Sequence, residues 1–185
     1  MIEMDPIRIQ IPNELFAPAE SSHFEGTYTL PVLKSGPDLY SFGDPLAWQV
    51  DITNTGDALL VMGTVEGAAT TSCVRCLGDV AVPLVGEIEG YFLIGDGASA
   101  PDEMEDDEFD RLPADNIIDM EPLIKAALLL EIPLVPLCDD ECKGLCPTCG
   151  ANLNEGPCDC EPAEDDAFEE AKNPFAALKN FKFED

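Results

Sequence analysis

Eight cysteines dominate the chemistry this chain can do, and they fall in pairs: Cys73-x-x-Cys76, Cys138-x-x-x-Cys142, Cys146-x-x-Cys149 and Cys158-x-Cys160. Two thiolates two residues apart can face one ion. The glycine after Cys146-Pro147-Thr148-Cys149 permits the tight turn that aims backbone N–H groups at sulfur. Gly144 supplies a second turn before the pair, and Asn152-Leu153-Asn154-Glu155-Gly156-Pro157 returns the chain to Cys158. A single C-x-x-C is weak evidence. Six cysteines between Cys138 and Cys160, punctuated by Gly and Pro, are strong evidence for a thiolate metal site, with structural zinc as the expected ion.

Eight thiols make two tetrahedral sets of four, so one or two ions are expected. Proximity in sequence groups Cys146, Cys149, Cys158 and Cys160 as one local site. Cys73, Cys76, Cys138 and Cys142 then form a second, pinning a hairpin tip to the end of a helix. A rival grouping has Cys138, Cys142, Cys146 and Cys149 share one ion. An iron–sulfur cluster needs the same thiolates, and a redox pair at Cys73 and Cys76 lacks the βαβ setting that such pairs occupy. Four thiolates leave no open coordination position, so the site braces the fold instead of carrying a reaction.

Other enzyme chemistry is missing from the sequence. The lone histidine, His23, sits in a Ser-Ser-His run and reads as a surface loop residue. No phosphate-binding glycine loop, nucleophile elbow or Cys–His pairing of recognisable spacing is present. Neither a catalytic residue nor a small-molecule substrate is expected.

The elements that must position the cysteines read as α+β: a mainly antiparallel sheet or partial barrel with one packed helix, a cysteine-rich metal-binding loop and a short C-terminal helix. Strand-like runs cover Phe24 to Leu30, Leu46 to Thr53, Ala58 to Ser72 and Val80 to Ile94. Gly63 and Gly67 mark bulges or close packing within the third of these. The last two runs flank Cys73 to Gly78 as a hairpin whose loop carries the first C-x-x-C, and Asn54-Thr55-Gly56-Asp57 is the preceding turn. A helix is expected near 119–131, with Asp119 as N-cap, Pro122 in its first turn and Pro133 as its stop. The β-rich domain thus spans 1–137, with an acidic, solvated linker at 95–110 inside it. Residues 138–160 form the metal-binding segment. Residues 161–185 are an acidic stretch and an amphipathic tail in which Phe175, Leu178 and Phe181 recur at helical spacing.

Charge narrows the partners. Asp and Glu total 38 against 9 Lys and Arg, for a net charge of -29 and a pI near 4.1. Such a surface repels a phosphate backbone, so direct nucleic-acid binding is disfavoured and a basic protein partner is favoured. Met1 to Pro12 lacks the layout of a signal peptide, and the apolar run from Leu123 to Leu137 is too short and too broken to span a bilayer. A cytoplasmic protein without a membrane is expected, consistent with cysteines kept reduced.

Cys73-Val74-Arg75-Cys76-Leu77, the helix end Leu130-Glu131-Ile132-Pro133, the run from Cys138 through Cys142-Lys143-Gly144-Leu145-Cys146-Pro147-Thr148-Cys149-Gly150-Ala151-Asn152-Leu153-Asn154, and the closing Asn173-Pro174-Phe175-Ala176-Ala177-Leu178 together resemble the bacterial YceD family. The resemblance runs from about Trp48 onward and is most specific in the cysteine-rich run. It implies a non-enzymatic role in the accumulation of large-subunit ribosomal RNA and ribosome biogenesis, and it supplies no catalytic residues. Joined to the charge, it points to a basic ribosomal protein or assembly factor as the partner. The reading of a different class is a thiol-based redox or metal-sensing switch that loses zinc on oxidation.

Overall fold

The computed structural model describes residues 7–95, 97–101, 104–105 and 108–160. The chain divides into two compact units, Met1–Val74 with Gly78–Cys138, and Arg75–Leu77 with Asp139–Asp185.

The first unit is built on period-2 patterning. In β5 (Leu46–Asn54), Leu46, Trp48, Val50 and Ile52 are buried while Ala47, Gln49 and Asp51 are exposed. That alternation fixes which face of the sheet meets the core. β1 (Arg8–Gln10), β2 (Ser21–Tyr28), β3 (Val32–Ser35) and β4 (Asp38–Phe42) precede it. β6 (Ala58–Ser72) and β7 (Asp79–Leu93) follow as a long antiparallel hairpin, in register from Ala58 opposite Leu93 to Ser72 opposite Asp79. Strand order is β2-β5-β6-β4-β3, with β7 also paired to β6.

The turn into β6 is made by side chain and backbone together. Thr55 N donates to Ala58 O at 2.8 Å, and Gly56 N donates to Asn54 Oδ1 at 2.7 Å. Asn54 is buried, and its Nδ2 donates to Leu15 O at 2.7 Å, so this interior amide is satisfied at both ends. Gly63 and Gly67 mark close packing. A Cβ on Gly63 would lie 2.0 Å from Gln49 O, and one on Gly67 would lie 2.4 Å from Leu46 Cδ2.

β8 (Asp110–Arg111) pairs in parallel with the end of β7, and β9 (Ile117–Asp119) pairs antiparallel with β1. The single α-helix among the described residues, α1 (Glu121–Glu131), lays Ile124, Ala127 and Leu128 on the core face of β7. The approach is so close that a Cβ on Gly86 would sit 2.7 Å from Ala127 backbone atoms. Tyr28, Leu46, Ile52, Ile88 and Ile118 complete the core beneath the helix.

The mainly antiparallel sheet with one packed helix stands as expected, and several details differ. The sheet itself agrees with the expectation of a sheet or partial barrel, being open among the described residues, with β2 and β3 at the ends of the strand order and β3 paired only with β4. The helix begins one residue later than an Asp119 N-cap implies, since Ile117–Asp119 pairs with Arg8–Gln10. Met120 is the N-cap, and Asp119 acts from outside, its Oδ1 accepting from Glu121 N at 3.0 Å. The acidic linker ends in a strand, where the Arg111 guanidinium donates to Gly95 O and Ala98 O at 3.2 and 3.4 Å. His23 lies on β2, not in a loop, with Nδ1 2.9 Å from Asp51 Oδ1. The expected C-terminal helix lies outside the described residues.

Candidate metal centre

The cysteine sulfurs gather in two groups, Cys73, Cys76, Cys138 and Cys142, and Cys146, Cys149, Cys158 and Cys160. Within each group the Sγ atoms all lie within 4.8 Å of one another. These are the groups that proximity in sequence suggests, and the rival set of Cys138, Cys142, Cys146 and Cys149 is not among them.

The second group is built by a local turn. Cys146 N donates to Ala151 O at 2.8 Å and Gly150 N donates to Cys146 O at 2.9 Å, which closes the loop around the C-x-x-C. Gly150 has φ +73°, the left-handed conformation that glycine adopts without a Cβ clash. Leu145 bridges to Asn152, and Leu153 N donates to Gly144 O at 2.9 Å, so both limbs of the loop are tied before the chain returns to Cys158 and Cys160. Cys146 is 6% exposed, Cys149 is exposed, and Cys158 and Cys160 are half-buried.

The electrostatics of this group are uneven. Backbone N–H groups of Cys149 and Thr148 donate to the Cys146 sulfur, the Cys158 thiol adds a third bond, and the Cys146 pKa falls to about 6. Cys160 moves the other way, pushed up to about 12 by its bond with Cys149 first and by burial second. Hydrogen bonding thus sets two sulfurs against each other, favouring the thiolate at Cys146 and the thiol at Cys160. These four cysteines would hold a divalent cation as thiolates, and binding it would release their remaining protons.

The donor set fits zinc. A tetrahedral ion with Zn–S bonds of about 2.3 Å has its sulfurs about 3.8 Å apart, well inside the observed limit.

Two side chains that the cysteine pattern did not single out hold the loop. Asn154 Oδ1 accepts from Lys143 N at 2.7 Å, and its Nδ2 lies 3.2 Å from Cys142 Sγ. Arg75 Nη1 donates to Cys142 O at 3.0 Å and Asp140 O at 3.2 Å, while a Cβ on Gly144 (φ +73°) would lie 3.1 Å from Arg75 O. An N–H to sulfur and a guanidinium to carbonyls are the outer contacts that orient metal ligands. The sequence signals were Arg75 inside the first C-x-x-C and Asn154 just past Gly150, neither decisive without its partner. Nearby, Val74 N donates to Pro136 O at 3.0 Å, which anchors the hairpin loop beside the segment entering Cys138.

No helix among the described residues is long and apolar enough to cross a membrane. No solved structure matches the chain. An uncharacterized protein of Mycobacterium tuberculosis is 37% identical over 107 residues, covering 57% of this chain and 50% of that protein. A chloroplastic protein of Arabidopsis thaliana, named large ribosomal RNA subunit accumulation protein YCED homolog 1, is 30% identical over 151 residues, covering 69% of this chain and 47% of the relative. Its namesake in Zea mays is 33% identical over 144 residues, covering 64% and 49%. The chain spans about half the length of the curated relatives it matches. The model of the YceD family, described as large ribosomal RNA subunit accumulation protein, matches residues 61–182, a span that takes in all but the first three residues of the β6–β7 hairpin, α1 and all eight cysteines, and the chain belongs to that family.

Proposed function

We propose that this protein supports the accumulation of large-subunit ribosomal RNA without catalysing a reaction, acting in ribosome biogenesis through a basic ribosomal protein or assembly factor. The observation that carries the reading is the family match across residues 61–182. The net charge of -29 supports a protein partner over naked RNA, since phosphates and carboxylates repel. Zinc has a bracing role here. Cys146, Cys149, Cys158 and Cys160 hold one ion, and Cys73, Cys76, Cys138 and Cys142 hold the other. When bound, the metal supplies covalent-strength cross-links to a Gly- and Pro-rich loop that buries little carbon. Eight thiolates and two zinc ions add about -4 to the charge. The cytoplasm, where thiols stay reduced, is the compartment this chemistry suits.

Deleting the gene and profiling ribosomes tests the role. Free large subunits and their RNA should fall relative to small subunits, and the full chain should restore them. An unchanged profile would overturn the reading. Pull-down at low and moderate salt should return basic ribosomal or assembly proteins; recovery of naked RNA alone would contradict the protein-partner route.

The exposure of Cys149 and partial exposure of Cys158 and Cys160 favour a second reading, a thiol switch. Peroxide would take two electrons from a pair of these thiolates and two protons from solvent, forming a disulfide and two waters and releasing zinc. Zinc release and loss of function at mild peroxide, reversed by thiol, would support it. Retention of both under those conditions would remove it.

A further inference from the structure

One side of β7 is engaged from end to end, and the other is not. β6 pairs with it along Asp79–Leu93, whereas β8 meets it only at Phe92 and Leu93. Among the described residues, Asp79–Tyr91 therefore has no strand partner on its second side. In an antiparallel pair, alternate residues turn their N–H and C=O groups away from the partner, so this edge offers a row of donors and acceptors.

A groove of about 210 Å³ runs beside the edge, lined by Glu87 and Glu89 of β7 and by Leu123, Ala126, Leu130 and Glu131 of α1. Leu130 is 83% exposed, which is unusual for a leucine, and Leu134 and Val135 just beyond the helix are exposed too. No cation lines the groove. The one Lys of α1, Lys125, is held by Glu121 one turn back.

We propose that this edge and groove take up an extended, lysine- or arginine-rich segment of a partner protein as an added strand. This assignment rests on the basic-partner reading above and gives it a place. Strand addition supplies main-chain hydrogen bonds, and side chains that alternate between the two faces supply selection. Aliphatic groups on one face of the incoming strand would lie along Leu123 and Leu130, and cations on the other would meet Glu87 and Glu89. Those carboxylates also guard the edge. They repel a second copy of this acidic chain, because like charges facing across strands destabilise pairing, and they attract a basic one. Pro83, which lacks an N–H, restricts the useful edge to Leu84–Tyr91.

The test uses the full chain and a probe peptide of alternating lysine and valine, roughly ten residues long. Binding is followed by fluorescence anisotropy. Glu87→Lys/Glu131→Lys should weaken it about tenfold, and Asp44→Lys/Glu14→Lys, an equal charge change at exposed positions elsewhere, should change it less than about twofold. The same peptide N-methylated at alternate residues keeps its charge and should lose binding. Circular dichroism and metal content confirm that each variant is folded. Equal weakening by both variants, or undiminished binding of the N-methylated peptide, would overturn the edge assignment and leave the basic-partner reading standing. No binding of the basic peptide to the wild-type chain, or preference for a single-stranded RNA oligonucleotide, would overturn both.

Discussion

Asn154 and Arg75 show how much of a cysteine cluster is held in place by residues other than its cysteines. Asn154 fixes the Lys143 backbone and reaches the Cys142 sulfur, and Arg75 fixes the carbonyls of Asp140 and Cys142. Replacing Cys146 and Cys149 together by Ser should lower bound metal by one ion per chain in native mass spectrometry and leave the sheet's circular dichroism intact. Two ions retained would contradict the local four-sulfur site. A different residue-scale effect concerns Glu121. Its hydrogen bond from Lys125 comes first in holding its carboxyl below the usual range, with a smaller contribution from Tyr28. A carboxyl with a depressed folded pKa adds stability above its unfolded pKa and loses it as pH falls through the folded value. Glu121→Gln should therefore cost a few tenths of a kcal/mol at neutral pH. That cost should shrink as pH falls through the depressed folded pKa, as urea melts at neutral and at acid pH would show.

At the scale of elements, the hairpin of β6 and β7 is both the spine of the sheet and the arm that carries the first C-x-x-C. Its glycines are there because neighbouring chain occupies the space of a side chain. Gly63→Ala would force a methyl against Gln49 O and Val50, and should cost about 1–3 kcal/mol or more. Gly43→Ala has nothing within 4 Å to meet and should be near neutral. Equal melting temperatures for the two variants would show that β5 and β6 can separate to make room. The helix boundary teaches a related lesson. Asp119 carries a capping side chain, yet the extended pairing of Ile117–Asp119 with Arg8–Gln10 took precedence over an earlier helix start. β-branched Ile117 and Ile118 favour that outcome, but the strand they pair with lies at the other end of the domain.

For the whole molecule, the surplus of 38 acidic over 9 basic residues sets the terms of any encounter. Attraction to a basic partner should be screened by salt. The association rate should fall several-fold between about 0.05 and 0.3 M salt while the dissociation rate changes less, as stopped-flow mixing would measure. A salt-independent rate would show that the acidic field plays no part in recognition. Strands with strong alternation, such as β5, and the hairpin of β6 and β7 were legible because period-2 burial leaves its mark within one segment. β3, β4, β8 and β9 were not. All are short: β8 and β9 pair with segments distant in sequence, and β3 and β4 form a four-residue hairpin around Gly36 and Pro37 that meets β6 at only two positions.

Residue type and spacing along the chain determined the thiolate chemistry, the long hairpin, the packed helix and the acidic field, because each is encoded in neighbouring residues or in composition. Only the tertiary structure decided that the sheet stays open, that Asn154 and Arg75 serve the cysteine loop, and that β7 keeps an acid-rimmed edge beside Leu123 and Leu130. Those features arise from contacts between segments far apart in sequence, where pairing and packing compete and local propensity cannot rank the outcomes.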